Sequence, residues 1–274
     1  MKQFFSSSAD DEGEPRNSST YLPYIFFLFL FSSCYHKVNT EMVSIIAPAP
    51  PQKKRKKLYI TFDDGPNKGT RNILEVINEE EIPASFFIVG EHVYGSRDQQ
   101  LTWDSLQISK WAELCNHSYT HAHNKFSKFY NNDSSVTADF ERTRDSLQLN
   151  NRIVRTPGRN MWRTSTVNAT DIAKSKAAAD SLYNRGFVVI GWDIEWHYND
   201  SMKLQQTSDE LFQQVDSLLT YSKTKTPDHI VLFTHDQTFA DSTNVASLRN
   251  FIRQVKTKGD YALEFISNYP GIRQ

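Results

Sequence analysis

The stretch KLYITFDDGPNKGT, residues 57–70, runs from an apolar, β-rich segment into two adjacent carboxylates, Asp63 and Asp64, and then into a Gly-Pro turn. The apolar run reads as a buried strand and Gly65-Pro66 as the turn that ends it. Two neighbouring negative charges repel unless a cation sits beside them. The pair at a strand end therefore implies a metal, a basic partner or full exposure to water.

Outward from this strand, similar runs recur at residues 85–89 (SFFIV), 152–155 (RIVR), 187–191 (FVVIG), 230–234 (IVLFT) and 263–266 (LEFI), with a further candidate near ELCNHS. Between them, apolar residues follow helical spacing. Val136, Phe140, Thr143 and Leu147 form one stripe, and Val245, Leu248, Ile252 and Val255 another. A third, Leu211, Phe212, Val215, Leu218 and Leu219, follows a helix-start signal at Thr207-Ser208-Asp209-Glu210. Buried strands alternating with amphipathic helices define an α/β class with a parallel sheet covered by helices. The expected architecture is a distorted (β/α) barrel with about seven parallel strands, and an open doubly wound sheet is the alternative.

Ionisable residues fall at comparable places on these strands. Asp63 and Asp64 follow the first, Arg155 ends RIVR, Asp193 follows FVVIGW, and His235 follows IVLFT. Any one of them reads as an exposed loop charge. Together they match a β/α barrel, whose site is assembled from the C-terminal ends of several strands.

A formal net charge of -1 gives no overall pull toward nucleic acid, and no nucleic-acid partner is expected. Cys34 and Cys115 are the only cysteines, which excludes a disulfide framework; Cys115 reads as a small buried apolar residue. Residues 1–57 are assigned to an N-terminal segment and residues 58–274 to the catalytic domain. The first twenty residues have the polar composition of disorder. The apolar core from Tyr24 to Phe31 is too short for a membrane span and suits a signal-peptide h-region. Phe31-Ser32-Ser33 before Cys34 resembles a bacterial lipoprotein box, which implies export to the cell envelope and a lipid anchor on Cys34. Asp10, Asp11, Glu12 and Glu14 depart from the positive charge usual ahead of such a segment. The Pro-rich and basic run ending at Lys57 reads as a linker, and a monomer is expected.

The second chemical element is NHSYTHAH, residues 116–123. His117 and His121 are four apart, so on a helical turn both imidazoles face one way; His123 is a spare candidate. Two imidazoles and a carboxylate leave coordination positions open, as in catalytic zinc sites and some iron sites. In that reading Asp64 binds the cation and Asp63 stays free beside it to accept a proton from a water that the cation acidifies.

TFDDGP at 61–66, HSYTH at 117–121, RTPG at 155–158, GWDIEW at 191–196 and LFTH at 232–235 occur in the order and approximate spacing of the polysaccharide deacetylases, carbohydrate esterase family 4. The chain resembles that family from Leu58 to the C-terminus. The resemblance implies a distorted barrel and metal-dependent removal of acetyl groups from an acetylated glycan substrate. It makes Asp63 the catalytic base, Asp64, His117 and His121 the metal ligands, Arg155 the partner of Asp63, and His235 the general acid. Asp193, with Glu195 as the alternative, would be the acidic partner of His235. A backbone N–H near Gly158 would hold the oxyanion. The cofactor is a divalent metal, zinc first, with iron, cobalt or nickel as alternatives. Three departures stand out. Gly158 occupies a position usually aromatic, which leaves the groove wall to Met161 or Trp162. Asp193 lies three rather than four residues before Trp196. Phe233 stands where a leucine commonly lines the acetyl pocket, with Leu232 one step back. These departures motivate a second reading, a catalytically idle carbohydrate-binding protein.

Overall fold

The computed structural model describes residues 55–272. The export segment and Cys34 lie outside the described residues.

Ten strands form one sheet: β1 (Lys56–Gly65), β2 (Ala84–Ile88), β3 (Ala112–Asn116), β4 (Ile153–Val154), β5 (Met161–Arg163), β6 (Asn168–Thr170), β7 (Val188–Val189), β8 (Ile194–Glu195), β9 (His229–His235) and β10 (Tyr261–Leu263). Between them run helices α1 (Lys68–Glu80), α2 (Arg97–Ile108), α3 (Phe126–Phe129), α4 (Asp133–Leu147), α5 (Lys176–Asn184), α6 (Ser208–Thr220) and α7 (Ser242–Lys258). The sheet order is β6-β5-β7-β4-β3-β2-β1-β9-β8, with β10 on the N-terminal half of β1. All pairings are parallel except those of β5 with β6 and β7, so the sheet is a curled, distorted barrel carrying one antiparallel hairpin. That hairpin and the two-residue β8 escaped the sequence reading because short strands with one polar face show no sustained apolar run.

β1 is the spine. Alternate residues point to opposite faces of a strand. Leu58, Ile60 and Phe62 join the outer layer with Leu232 and with α1 and α7 residues such as Ile73, Ile77, Leu248 and Ile252. Tyr59 faces the inner layer with Phe87, Cys115, Trp162, Val231 and Tyr269. Both faces are buried, which is why β1 and β9 read as continuous apolar runs. The domain edge differs slightly from expectation. Lys56 and Lys57 belong to β1, pairing with Tyr261 and Ala262 of β10, and the Lys57 ammonium bonds Glu264.

The helix-start signal at 207–210 forms a reciprocal cap. Glu210 N–H donates to Thr207 Oγ1 at 3.2 Å, and Thr207 N–H donates to Glu210 Oε2 at 2.8 Å.

Candidate metal centre and active site

In a regular strand, adjacent carboxylates would face opposite sides of the sheet, so Asp63 and Asp64 could not share a site. A β-bulge resolves this. β1 pairs with β2 through Asp63↔Phe87 and then Gly65↔Ile88, leaving Asp64 as the extra residue. Asp64 takes φ 79, a left-handed conformation costly for a non-glycine residue, and its carbonyl accepts a hydrogen bond from His92 Nδ1 at 2.8 Å.

The histidines reach the same place without a helix. His117 follows the end of β3, and residues 121–124 form a left-handed turn with φ of 47, 57, 44 and 57. The expected helical i, i+4 pairing is therefore replaced by a strand end and a folded-back loop. Asp139 pins that loop: its Oδ2 accepts from Tyr119 N–H at 3.0 Å and Thr120 N–H at 3.1 Å.

The convergence is close. Asp64 Oδ1 lies 3.4 Å from His117 Nε2 and 3.2 Å from His121 Nε2, and one ligand atom from each of the three falls within 4.8 Å of the others. His117 Nδ1 faces the Arg155 carbonyl at 2.9 Å, and His121 Nδ1 faces Asn124 Oδ1 at 3.0 Å. Both partners only accept, so each Nδ1 carries the proton and each Nε2 presents a lone pair. Three acceptors thus face one another, and among the described residues buried Asp64 Oδ1 has no hydrogen-bond donor. This donor set fits a divalent cation. His123 is exposed, 4.0 Å from Glu91, and stands outside the set.

Without a cation the same three side chains would share a proton instead: burial raises the Asp64 pKa, but a protonated His117, with charge from His121 and His235, outweighs it and holds the carboxyl well below its usual range. Burial pushes His117 down, and Asp63 and Asp64 together bring it above its ordinary value; His121 is lowered by burial and by His117.

Asp63 stands beside this set, Oδ2 3.6 Å from His117 Nε2. Arg155 Nη1 donates to Asp63 Oδ1 at 2.8 Å and to Thr61 Oγ1 at 2.8 Å. Its Nη2 donates to the Gly191 carbonyl at 3.0 Å, and the guanidinium lies 4.1 Å from the Phe87 ring centroid. His235 is the direct β9 partner of Asp63. The rings of Phe233, at 4.7 Å, and Tyr198, at 5.3 Å, hold its imidazole edge-on.

Three expected placements are corrected. Asp193 does not meet His235. It lies at the level of Val231, where its carboxylate accepts from Val231 N–H at 2.8 Å and Lys225 N–H at 2.7 Å. Burial pushes its pKa up to about 6 against those two bonds, and among the described residues His235 Nδ1 has no hydrogen-bond partner. The register instead puts Glu195 opposite Phe233, one alternate position below His235, with its carboxylate 3.5 Å from His197 Nδ1. Trp162 is 0% exposed, packed on Tyr269 with its Nε1–H bonded to Asn160, so it is core rather than groove wall. Met161 is equally buried. Leu232 faces the outer helix layer by strand parity, whereas Phe233, on the inner face, packs at a tilt against Trp192, ring centroids 4.5 Å apart.

Two contributors had no clear sequence signal. Phe126, on α3, stands edge-on 5.6 Å from His121 and fills space beside Gly158. Asp236, wholly buried, accepts from the Asn67 amide and the Thr70 hydroxyl and so ties the end of β9 to the Asn67 cap of α1. Its place directly after His235 was the available hint.

A family model described as polysaccharide deacetylase matches residues 51–178, a span that holds the first three motifs. Over that span the chain is similar to the polysaccharide deacetylases. Among curated members, a peptidoglycan-N-acetylglucosamine deacetylase of Bacillus cereus is 28% identical over 76% of this chain and 68% of its own length. A chitin disaccharide deacetylase of Vibrio alginolyticus is 23% identical over 77% of this chain and 71% of its own. The carbohydrate esterase family 4 structure from Streptococcus mutans aligns with TM-score 0.59 and 21% identity, over 78% of this chain and 87% of that one, and shows the shared fold. Asp193 and His235 lie beyond the matched span, in the part of the chain where the motifs are looser.

Proposed function

We propose that this domain hydrolyses acetyl groups, N-linked first and O-linked as the second class, on a glycan built of acetylated amino sugars, with a divalent metal held by Asp64, His117 and His121. The convergence of three acceptor atoms on a buried point, with a separate paired carboxylate beside it, carries the reading. Relatives named for chitin disaccharide and peptidoglycan N-acetylglucosamine support the substrate class. When bound, the metal supplies Lewis acidity that polarises the acetyl carbonyl and acidifies water; two imidazoles and one carboxylate favour zinc, with iron, cobalt and nickel also compatible.

The chain's own residues do the rest. Asp63, kept oriented by Arg155, accepts the proton of the attacking water. His235, on the neighbouring strand at the same level, donates a proton to the departing nitrogen or oxygen. A backbone N–H near Gly158 serves the oxyanion, and Phe233 lines the acetyl pocket from the inner face of β9. We also propose export to the cell envelope with a lipid on Cys34, supported by the sequence ahead of that residue.

The test is acetate release from acetylated chitin and peptidoglycan fragments. Release that chelation abolishes and zinc restores, and that Asp64→Ala lacks, is expected; release indifferent to both would overturn the mechanism. His235, whose Nδ1 has no hydrogen-bond partner among the described residues, favours a second reading, glycan binding without turnover. That reading requires identical binding and no acetate from either the unaltered protein or Asp63→Asn.

A further inference from the structure

Gly158 raises a steric question that the metal centre does not answer. It is exposed and takes φ 62. A Cβ built on it would sit 3.1 Å from Phe126 Cε2 and 3.2 Å from Phe126 Cδ2 and Cζ, so the space beside residue 158 is already occupied by an aromatic ring from another segment.

That ring is held in place. Phe126 packs against the cluster of Val136, Phe140, Val154 and Leu182. The Tyr130 hydroxyl donates to the Pro157 carbonyl at 2.7 Å, tying the α3 segment to the turn that carries Gly158. Arg159 closes the arrangement, its guanidinium 5.2 Å from the Tyr130 ring and 5.9 Å from the Phe126 ring, with Nη1 donating to the Gly158 carbonyl at 2.7 Å. Phe126 is only half-buried and meets His121 edge-on, at an interplanar angle of 89°.

We infer that Phe126 is a specificity-determining residue, an aromatic wall on the His121 side of the candidate metal centre, against which a pyranose ring of the glycan stacks. Gly158 is small because Phe126 takes its side chain's place. The inference rests on the deacetylase reading and adds the group that selects sugar polymers over small acetyl esters. Pyranose rings carry C–H faces that the negative face of an aromatic ring attracts, and a pre-positioned ring loses little entropy on contact. A small ester has no ring to stack, so it reacts at the metal centre without using Phe126.

The experiment compares zinc-loaded wild type with Phe126→Ala, Phe126→Leu and Phe126→Trp. Leucine keeps bulk against Gly158 and His121 but lacks a π face, and tryptophan restores one. Two kinetic substrates are used, tetra-N-acetylchitotetraose and an aryl acetate, and calorimetry measures tetrasaccharide binding to each variant in an Asp63→Asn background. Expected are a KM and a Kd for the tetrasaccharide raised about tenfold in the Ala and Leu variants, recovery in Trp, and unchanged aryl acetate hydrolysis and zinc affinity. Equal losses on both substrates, or weakened zinc, would make Phe126 a support for His121 and overturn the inference; unchanged tetrasaccharide constants would do the same. A wild type that binds the tetrasaccharide but releases no acetate from either substrate refutes the deacetylase reading alone, since the Kd series still decides the role of Phe126. Absence of tetrasaccharide binding in wild type overturns the inference, and acetate release from the ester then separates it from the mechanism.

Discussion

Asp63→Ala should destabilise the domain far more than removal of an exposed carboxylate would, and Arg155 is the reason. The guanidinium is 0% exposed, and Asp63, 2% exposed, is its acidic partner at 2.8 Å. Deleting one member of a buried pair leaves an uncompensated charge, at a cost of about 3–5 kcal/mol. For a domain of this size each kcal/mol lowers Tm by about 2–4 °C, so a fall of about 6–20 °C is expected. Asp63→Asn keeps an oxygen for Arg155 Nη1 and should melt between wild type and Asp63→Ala, yet lose about 10²–10⁴-fold in turnover because an amide accepts no proton. Calorimetric melts of zinc-free protein, run with acetate-release assays of the zinc-loaded forms, separate the two roles. The double replacement Asp63→Ala, Arg155→Met removes the stranded charge and should melt above Asp63→Ala alone. An unchanged Tm in Asp63→Ala, or a double variant no better than the single one, would show that the other partners of Arg155 neutralise it and that Asp63 is not its counterion.

Asp193→Asn should lower stability, because an amide offers a single oxygen to the Lys225 and Val231 N–H groups, yet leave the pH dependence of turnover unmoved; a shifted profile would restore Asp193 to the side of His235. Burial, reinforced by Asp64 and Asp63, pushes Asp236 up to about 8 despite the donors Thr70 and Asn67. The folded chain then retains a proton that the unfolded chain loses near pH ~4, so this group's stabilisation is full below about pH 4 and is lost as pH rises through about 8. Urea unfolding of chelator-treated protein should show wild type losing stability relative to Asp236→Asn as pH rises across that window, and a pH-independent difference would refute it. Gly69→Ala should cost about 1–3 kcal/mol or more in chemical denaturation, since its Cβ would sit 1.8 Å from the Asp236 carbonyl oxygen, backbone that cannot swing aside. Trp162→Ala should cost about 3–5 kcal/mol while leaving the KM of the remaining folded enzyme unchanged, as befits core rather than groove.

The sequence by itself determined the alternation of buried strands and amphipathic helices and the capped start of α6, and it named the three residues that could hold a metal ion. These are properties of residue type, spacing and local hydrogen bonding, all written in the chain. Only the tertiary structure decided which side chains meet. The bulge at Asp64 turns two neighbouring carboxylates toward one site, where strand alternation alone would part them. Strand register set Asp193 two alternate positions away from His235 and sent Leu232 outward and Phe233 inward. Trp162, expected at the groove wall, is packed in the core against Tyr269. Whether a large aromatic residue lines a groove or fills a core depends on what the rest of the fold packs against it, and that neighbour lies far away in the sequence.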